Sequence, residues 1–468
     1  MAAPSSASAN GGSPPVPPVP QPSLPPTEPV PVPVIPDDPT LVEPVPVDVT
    51  EAVLGSAAGP SEPTSGGGAG ADRSRPRRGA GRRSQPRRAR DRSSPDRCFA
   101  LVVGGGTAGH VMPALAIARA IGESGHPIGT VHLVGSERGL EAKLFPASAL
   151  PHTLLPGRGI ERKLSLQNLR SLGGLVVAFT RAWGLVGRLR PQVVVSVGGY
   201  ASVPCALAAA LRRVPIVVAE QNAAPGAANR LVSRFAKACA VSFEGTPLPH
   251  PVVTGNPVRP EIIAIDRTHD AEAARHKLDV YPGRRVVLIF GGSLGALKLN
   301  KAVIEAIKRW ASRTDLHVRH IVGRRDWEQI STSLSGRSSI AGAPLRYQMV
   351  EYDDDMPTSL AAADLVVCRA GSSTCFELLA AGLPSVLVPS PFVTADHQTA
   401  NARHMVAAGA SVMVPDAELD GPRLVAEVDA LLGDPPRLAE MGAAALRAAR
   451  PDAARAIAAL VEEIAARG

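Results

Sequence analysis

The chain has 468 residues, is 45% apolar and carries a net charge of +8. That is enough material for two sizeable cores, which excludes a peptide, a stapled miniprotein and a wholly disordered chain. Its five cysteines show no CxxC spacing, which argues against a disulfide or zinc framework and for a reducing compartment. No apolar run approaches the ~18 residues a membrane span needs, and Met1–Pro20 lacks the basic-then-apolar order of a signal peptide. Neither export nor a membrane span is expected, though contact with a membrane surface stays open.

The charge is unevenly placed. Residues 1–72 hold eight acids and no Lys or Arg, and 17 of the 46 prolines lie in the first 60 residues. Such a stretch favours extended polyproline and builds no core, so a disordered extension is expected over 1–97. Its second part, residues 73–97, holds eleven arginines against Asp91 and Asp96. A tether for anionic lipid or nucleic acid is one reading and a solvated linker the other. Without interleaved aromatics or a folded nucleic-acid motif, the linker is preferred and no nucleic-acid partner is expected.

Order is expected from Cys98. Cys98–Val103 reads as a buried parallel strand, Gly104–Gly109 (GGGTAG) as a turn, and Val111–Ile121 as a helix in which Pro113 suits only the first turn. Strands at Thr130–Val134, Gln192–Val197 and Pro215–Ala219 follow, with a helix at Val203–Leu211. Between them, Leu169, Leu172, Val176, Phe179 and Trp183 recur at helical spacing behind Arg158, Arg162 and Lys163. That stripe is either core or an interfacial membrane contact. After Gly255-Asn256-Pro257 the pattern restarts. Arg285–Phe290 is a strand, Gly291–Gly295 a glycine loop, Asp364–Cys368 a strand, Thr374–Ala381 a helix and Ser385–Val388 a strand. A helix is expected over Ala443–Ala466. Strand, glycine loop and helix thus open each of two α/β halves, and ligands of such sheets bind at the carboxyl ends of the strands.

Glycines after a strand let backbone N–H groups approach a phosphate, and the next helix N-terminus adds partial positive charge. Gly104, Gly106 and Gly109 satisfy GxGxxG, but a dinucleotide site needs an acid ~20 residues on, and the nearest, Glu137, arrives late. His110, at a helix N-terminus, is expected to be neutral near pH 7. It is either a general base or a packing histidine. Glu377 fits a capping box on Thr374 or a grip on a ribose diol. Asp353-Asp354-Asp355 resembles an acidic metal motif, but a solvated loop before a helix is preferred. Neither metal nor cofactor is expected.

Seven stretches in order resemble the MurG family of peripheral membrane glycosyltransferases. They are GGTAGH (Gly105–His110), GGY (Gly198–Tyr200), EQN (Glu220–Asn222), GNPVR (Gly255–Arg259), GGSLGA (Gly291–Ala296), AGSSTCFELLAAGLP (Ala370–Pro384) and DHQTANA (Asp396–Ala402). The resemblance spans about 98–466. It implies a GT-B fold, two Rossmann-like domains with parallel sheets facing a cleft, divided as 98–255 (acceptor and membrane face), 256–442 (UDP-GlcNAc) and a helix at 443–468 returning to the first domain. It implies transfer of GlcNAc from UDP-GlcNAc to the 4-hydroxyl of MurNAc in lipid I, giving lipid II, with inversion. Partners would be UDP-GlcNAc, lipid I and an anionic membrane surface on the cytoplasmic side, with room for other cell-wall synthesis or division proteins.

By the same resemblance, Ser293 would contact the diphosphate and Arg259 would line the donor site. Ser372, Ser373, Thr374, Cys375, Phe376 and Glu377 would open the helix that meets uridine and diphosphate, with Glu377 on the ribose. The backbone at Asp353 would face uracil and Gln398 would hold the GlcNAc hydroxyls. Asn222 with Thr107, Ala108 and Gly109 would reach the donor sugar, and Tyr200 would help take the lipid diphosphate. His110 would be the base, with Glu220 or Asn222 positioning it. The stripe Leu169, Leu172, Val176, Phe179 and Trp183 would face the membrane. Three motifs depart from the commoner forms, at Ala108, Ala219 and Leu294. The alternatives are an NAD(P)-dependent oxidoreductase on Gly104–Gly109, a UDP-GlcNAc 2-epimerase and, last, a membrane tether driven by the arginine-rich head.

Overall fold

The computed structural model describes residues 98–156, 166–292, 295–334 and 344–467, with the side chains of 166–175 excepted. The 1–97 extension, Arg158, Arg162, Lys163, Ser293 and Leu294 lie outside the described residues, as do the side chains of Leu169 and Leu172.

The first half runs β1 (Ala100–Gly104), α1 (Ala108–Glu123), β2 (Val131–Ser136), α2 (Glu141–Ala147), β3 (His152–Leu155), α3 (Leu166–Leu189), β4 (Val193–Gly198), α4 (Ser202–Leu211), β5 (Ile216–Glu220), α5 (Ala227–Val232), β6 (Ala238–Val241) and β7 (Pro251–Val253). Its strands form one parallel sheet in the order β3-β2-β1-β4-β5-β6-β7. β1 shows why so short a run suffices. Ala100 and Val102 join the core under α1, while Leu101 and Val103 join the core under α3 and α4, all fully buried. β7 is exposed along its length and opens on Pro251, as suits an edge strand that lacks one donor.

The second half runs α6 (Pro260–Ile263), α7 (Arg267–Lys277), β8 (Arg285–Phe290), α8 (Leu297–Arg309), β9 (Leu316–Ile321), α9 (Trp327–Leu334), β10 (Arg346–Val350), α10 (Met356–Ala362), β11 (Leu365–Cys368), α11 (Ser372–Ala380), β12 (Ser385–Leu387), α12 (His397–Ala407), β13 (Ser411–Met413), α13 (Gly421–Leu432) and α14 (Pro435–Ala448). Its parallel sheet has the order β10-β9-β8-β11-β12-β13. The same division recurs in β8. Val287 and Ile289 face one core, Leu288 and Phe290 the other. Both sheets reverse direction of strand order beside their first strand, the point where doubly wound sheets open a crevice.

The last helix, α15 (Ala453–Arg467), returns to the first half. Its Ile457, Ala458, Val461 and Ile464 pack in the core with α1 and β4. The single helix expected over Ala443–Ala466 is corrected to two, α14 and α15. Pro451 disfavours helical backbone at Arg450, and Ala449 is already extended at φ −63°, ψ 146°. The two covalent crossings between the halves touch each other here. Gly255 has φ +83°, and a Cβ on it would stand 2.4 Å from Cβ of Arg450. Next to it Asn256 is fully buried, with neither amide atom hydrogen-bonded among the described residues.

Candidate active site

The first glycine loop leaves β1 at Gly104. Gly106 turns it at φ +93°, and Thr107 is the N-cap of α1 in extended conformation. Ala108 therefore opens the helix with ordinary backbone and needs no glycine there. α1 begins three residues before the expected Val111, so Pro113 lies beyond the first turn and cannot donate to Gly109. First-turn N–H groups have no partner inside a helix, which leaves those of Ala108 and Gly109 for a ligand.

A second loop packs directly on the first. Gly198 and Gly199 lie at φ +109° and +87°. A Cβ on Gly199 would stand 2.1 Å from the Gly105 carbonyl oxygen, and one on Gly198 would stand 3.0 Å from His110 Nε2. Only glycine allows this approach. Ser202 locks the junction. Its hydroxyl accepts from the Gly198 N–H at 3.1 Å and lies 3.1 Å from the Val103 carbonyl. The next residue of the loop, Tyr200, has a buried hydroxyl with no hydrogen-bond partner among the described residues, and burial raises its pKa.

His110 is half-buried between these loops, its Nδ1 3.2 Å from the Thr107 hydroxyl. Burial pushes its pKa below the ordinary value. The Glu220 carboxylate, the Gly105 carbonyl and the Glu141 carboxylate pull the other way, while His397 from the second half adds to the lowering. Glu220, at the end of β5, is 3% exposed and spends its carboxylate on the following turn. It accepts from the N–H of Asn222 at 3.0 Å, the N–H of Gly226 at 3.0 Å and Nδ2 of Asn229 at 3.0 Å. It acts on His110 through its charge rather than through a direct bond.

Glu141 has no expected counterpart. The acid looked for after β2 was Glu137, which is exposed and lies 3.5 Å from Arg181. Instead Glu141, with no exposed surface, turns back onto the loop. It accepts from the Gly106 N–H at 2.9 and 3.0 Å, from the Ser136 N–H at 3.1 Å and from the Ser136 hydroxyl at 2.5 Å. A dinucleotide site needs that acid on a ribose diol and that N–H on a pyrophosphate. Here each has consumed the other, which removes the basis for the oxidoreductase reading.

In the second half, the loop after β8 turns at Gly292 (φ +96°) and Gly295 (φ +87°). A Cβ on Gly295 would stand 2.5 Å from the Val322 carbonyl. The loop after β11 ends at Gly371, the N-cap of α11. The helix thus starts two residues before Thr374, and the capping-box reading of Thr374 and Glu377 falls. Glu377 instead accepts from Arg259 Nε at 3.0 Å. Burial raises the Glu377 carboxyl, with the Arg259 guanidinium opposing. Ser373 and Thr374 are half-exposed at the helix start. The side chains of Cys375 and Phe376 turn away into the core, Phe376 edge-on to Phe243 at 5.0 Å, so only their backbone can serve a ligand.

Asp353 is not a solvated loop residue. Its carboxylate is buried against Arg319, with Nη2 to Oδ2 at 2.9 Å, and accepts from the Ser359 hydroxyl at 2.5 Å. Asp355 caps α10 and pairs with Lys277 at 2.6 Å. Asp353 and Asp355 are thus committed to structure while Asp354 is exposed, and among the described residues no cluster of His, Cys, Asp or Glu is arranged to hold a metal. Gln398 accepts from the Ser390 N–H at 2.8 Å. Just before it, Ala395 and Asp396 both adopt left-handed backbone, at φ 54° and 49°.

The two edges meet through Asn401 of α12, which has no exposed surface. Its Oδ1 accepts from the Ala223 N–H at 2.9 Å, and its Nδ2 donates to Asn222 Oδ1 at 3.2 Å and to the Ala370 carbonyl at 3.1 Å. The turn after β5 and the loop after β11 are thereby joined, so the carboxyl ends of the two sheets face each other. Two phosphate-type helix N-termini on opposite sides of one cleft suit transfer between two substrates.

Comparison with known proteins decides the family. The glycosyltransferase family 28 N-terminal domain matches residues 100–241, and the family 28 C-terminal domain matches residues 286–457. The UDP-N-acetylglucosamine–N-acetylmuramyl-(pentapeptide) pyrophosphoryl-undecaprenol N-acetylglucosamine transferase of Desulforudis audaxviator is 40% identical over 373 residues, 79% of this chain and 99% of that protein. The crystal structure of Acinetobacter baumannii MurG superposes with a TM-score of 0.64 at 29% identity, covering 78% of this chain and 99% of that one.

The chain belongs to the MurG family of glycosyltransferases.

Its fold is the two-domain GT-B fold expected of that family. A UDP-GlcNAc 2-epimerase from Neisseria meningitidis superposes with a TM-score of 0.54 at only 12% identity, covering 79% of this chain and all of that one. That likeness is one of fold, which the MurG family and the epimerases share. Three buried residues that hold these loops together, Glu141, Asn229 and Asn401, were not expected at the candidate site. Asn229 bridges Ser196, the Ala219 carbonyl and Glu220. Asn401 lies within the DHQTANA stretch but was given no role there, while Glu141 and Asn229 lie outside every motif and carry no such signal in a single sequence.

Proposed function

We propose that this chain transfers N-acetylglucosamine from UDP-N-acetylglucosamine to the 4-hydroxyl of lipid-bound N-acetylmuramate in lipid I, forming lipid II with inversion. The observation that carries this reading is the identity over nearly the whole length of the Desulforudis transferase, joined to a cleft with a glycine loop on each side. The second half takes the donor. The N-terminus of α11, with Ser373 and Thr374, faces the diphosphate, Arg259 and Glu377 hold the ribose side, and Gln398 holds the sugar. The first half takes the acceptor on the loops of Thr107–Gly109 and Tyr200.

The acceptor hydroxyl attacks the anomeric carbon as the bond to UDP breaks. The attacking hydroxyl loses its proton to His110. Burial keeps that imidazole neutral, hence able to accept, while the Glu220 carboxylate and the Gly105 carbonyl favour the protonated form once the proton arrives. The leaving diphosphate gathers charge at helix N-termini that are already oriented.

A membrane surface is part of the same proposal. Val176, Val177, Trp183 and Leu211 are exposed on α3 and α4, among exposed Arg181, Arg188, Arg190, Arg212 and Arg213. Phe179 is half-buried beneath them and Arg212 lies 4.0 Å over the Trp183 ring. Apolar side chains ringed by cations suit the interface of an anionic bilayer. Among the described residues no helix is long and apolar enough to cross a membrane.

The test is UDP release by the full chain from UDP-GlcNAc, with and without a lipid I analogue, each with and without EDTA. Acceptor-dependent release that survives chelation is expected. Release without acceptor dependence would overturn the reading.

A further inference from the structure

We propose that Glu141 is a positioning residue for the transfer reaction, acting on His110 through the single peptide unit that joins Gly105 to Gly106. This rests on the proposed function above, in which His110 takes the acceptor proton. The N–H of that peptide donates to both oxygens of Glu141, at 3.0 and 2.9 Å. The carbonyl of the same peptide packs against Gly199, next to the Gly198 that abuts His110 Nε2, and it favours the protonated form of that ring. A carboxylate, a peptide and an imidazole are therefore neighbours, the carboxylate on the peptide's N–H and the imidazole within the influence of its carbonyl.

The surroundings are shaped for this carboxylate. A Cβ on Gly105 would stand 2.3 Å from Glu141 Oε1, one on Gly135 2.6 Å from its Cγ, and one on Gly139 2.6 Å from its Oε2. Three glycines, from the first glycine loop, from β2 and from the turn after β2, thus leave room for one side chain. No cation pairs with Glu141 among the described residues. Its bonds are to N–H and O–H donors of Gly106 and Ser136. The need for such a lock is physical. A Gly-Gly peptide can rotate between two orientations at little cost, and Gly106 sits at φ +93° where either is open. With the carboxylate behind it, the orientation that points the oxygen at His110 is held. Aligned hydrogen bonds also polarise one another, which strengthens the carbonyl as an acceptor for the imidazolium.

The groups facing His110 are the Glu220 carboxylate from the end of β5, Glu141 from α2, His397 from α12, the Thr107 hydroxyl and the Gly105 carbonyl. Glu141→Gln keeps the shape, removes the charge and turns an amide NH2 towards groups that are donors. The imidazolium loses both the carboxylate's attraction and the fixed carbonyl, so His110 binds its proton less tightly and stays neutral to lower pH. The expected result in the full chain is a fall in kcat of about 10- to 100-fold, as for loss of an outer partner that orients a working group, with UDP-GlcNAc affinity held within about twofold, well under the tenfold that 1.4 kcal/mol would give. The acid limb of the kcat–pH profile should move to lower pH. In a His110→Ala background the same substitution should cost nothing further.

A lower melting temperature with an unmoved acid limb would overturn the proposal, as would losses that simply multiply in the double variant. If Glu141→Gln does not fold, Ser136→Ala removes the hydroxyl that Glu141 shares with the Arg138 carbonyl and leaves the carboxylate in place. It should shift the acid limb the same way by less, and an unmoved limb there also overturns the proposal. Absence of acceptor-dependent turnover in the unsubstituted chain would instead overturn the functional reading itself, so the two failures are distinct.

Discussion

Asn401 Nδ2 lies 3.2 Å from Asn222 Oδ1, and this amide pair joins helix α12 of the second half to the turn after β5 of the first. The same side chain accepts from the Ala223 N–H and donates to the Ala370 carbonyl. One buried amide thus sets the spacing of two loops that are 31 to 179 residues away in the chain.

Asn401→Ala should cost about 1–3 kcal/mol, the penalty for leaving buried partners unmade. The effect on turnover should exceed that on donor affinity, because the loss falls between the two binding edges. Thermal denaturation and steady-state kinetics check this. Combined with Asn222→Ala, the two losses should be less than additive. Full additivity would mean that the amides do not act on each other.

His110→Ala should lower kcat by about 10²–10⁴-fold, the range for a positioned proton acceptor, with UDP-GlcNAc binding nearly unchanged. The sign of the pH effect follows from the lowered pKa. The working form is neutral, so activity is lost as pH falls through that value, and the acid limb should lie below about 6.5. A limb above it, absent from the alanine variant, would contradict the burial argument.

Arg319→Ala leaves the Asp353 carboxylate buried without its cation, which should cost about 3–5 kcal/mol. The loop that begins at the end of β10 should loosen, raising KM for UDP-GlcNAc more than KM for the acceptor. A thermal shift and the two KM values test this. Equal changes in both would deny a local role to the pair. Arg319→Met with Asp353→Leu, which removes both charges, should recover most of the stability.

Val176→Asp with Trp183→Asp should reduce co-sedimentation with vesicles of anionic lipid, and raised salt should weaken the unsubstituted chain similarly. Turnover of a short-chain soluble acceptor should be unaffected. Unchanged vesicle binding would move the membrane face elsewhere.

The repeating strand, glycine loop and helix were legible because each is local. A four- to six-residue apolar run and the glycines after it are contiguous in the chain. Boundaries moved by one to three residues where a cap carried no side-chain signal, as at Thr107 before α1 and Gly371 before α11. What could not be read was long-range. Three aspartates in a row suggest a solvated loop until Arg319, 34 residues earlier, is folded against the first of them. Glu141 is an ordinary helical glutamate until a loop 35 residues before it closes over its carboxylate. The stripe on α3 had the right period, but period alone does not tell a face turned to the core from one turned to solvent. Ala178 and Ala182, between its members, are the buried ones.

The crossing at Gly255 and Arg450 makes the molecule resemble a pair of pliers with one rivet. Both covalent connections between the jaws pass through one spot, while the Asn401 amide ties the jaws together again at their facing edges. A side chain added at residue 255 would wedge the rivet and set the gap between donor and acceptor without touching either.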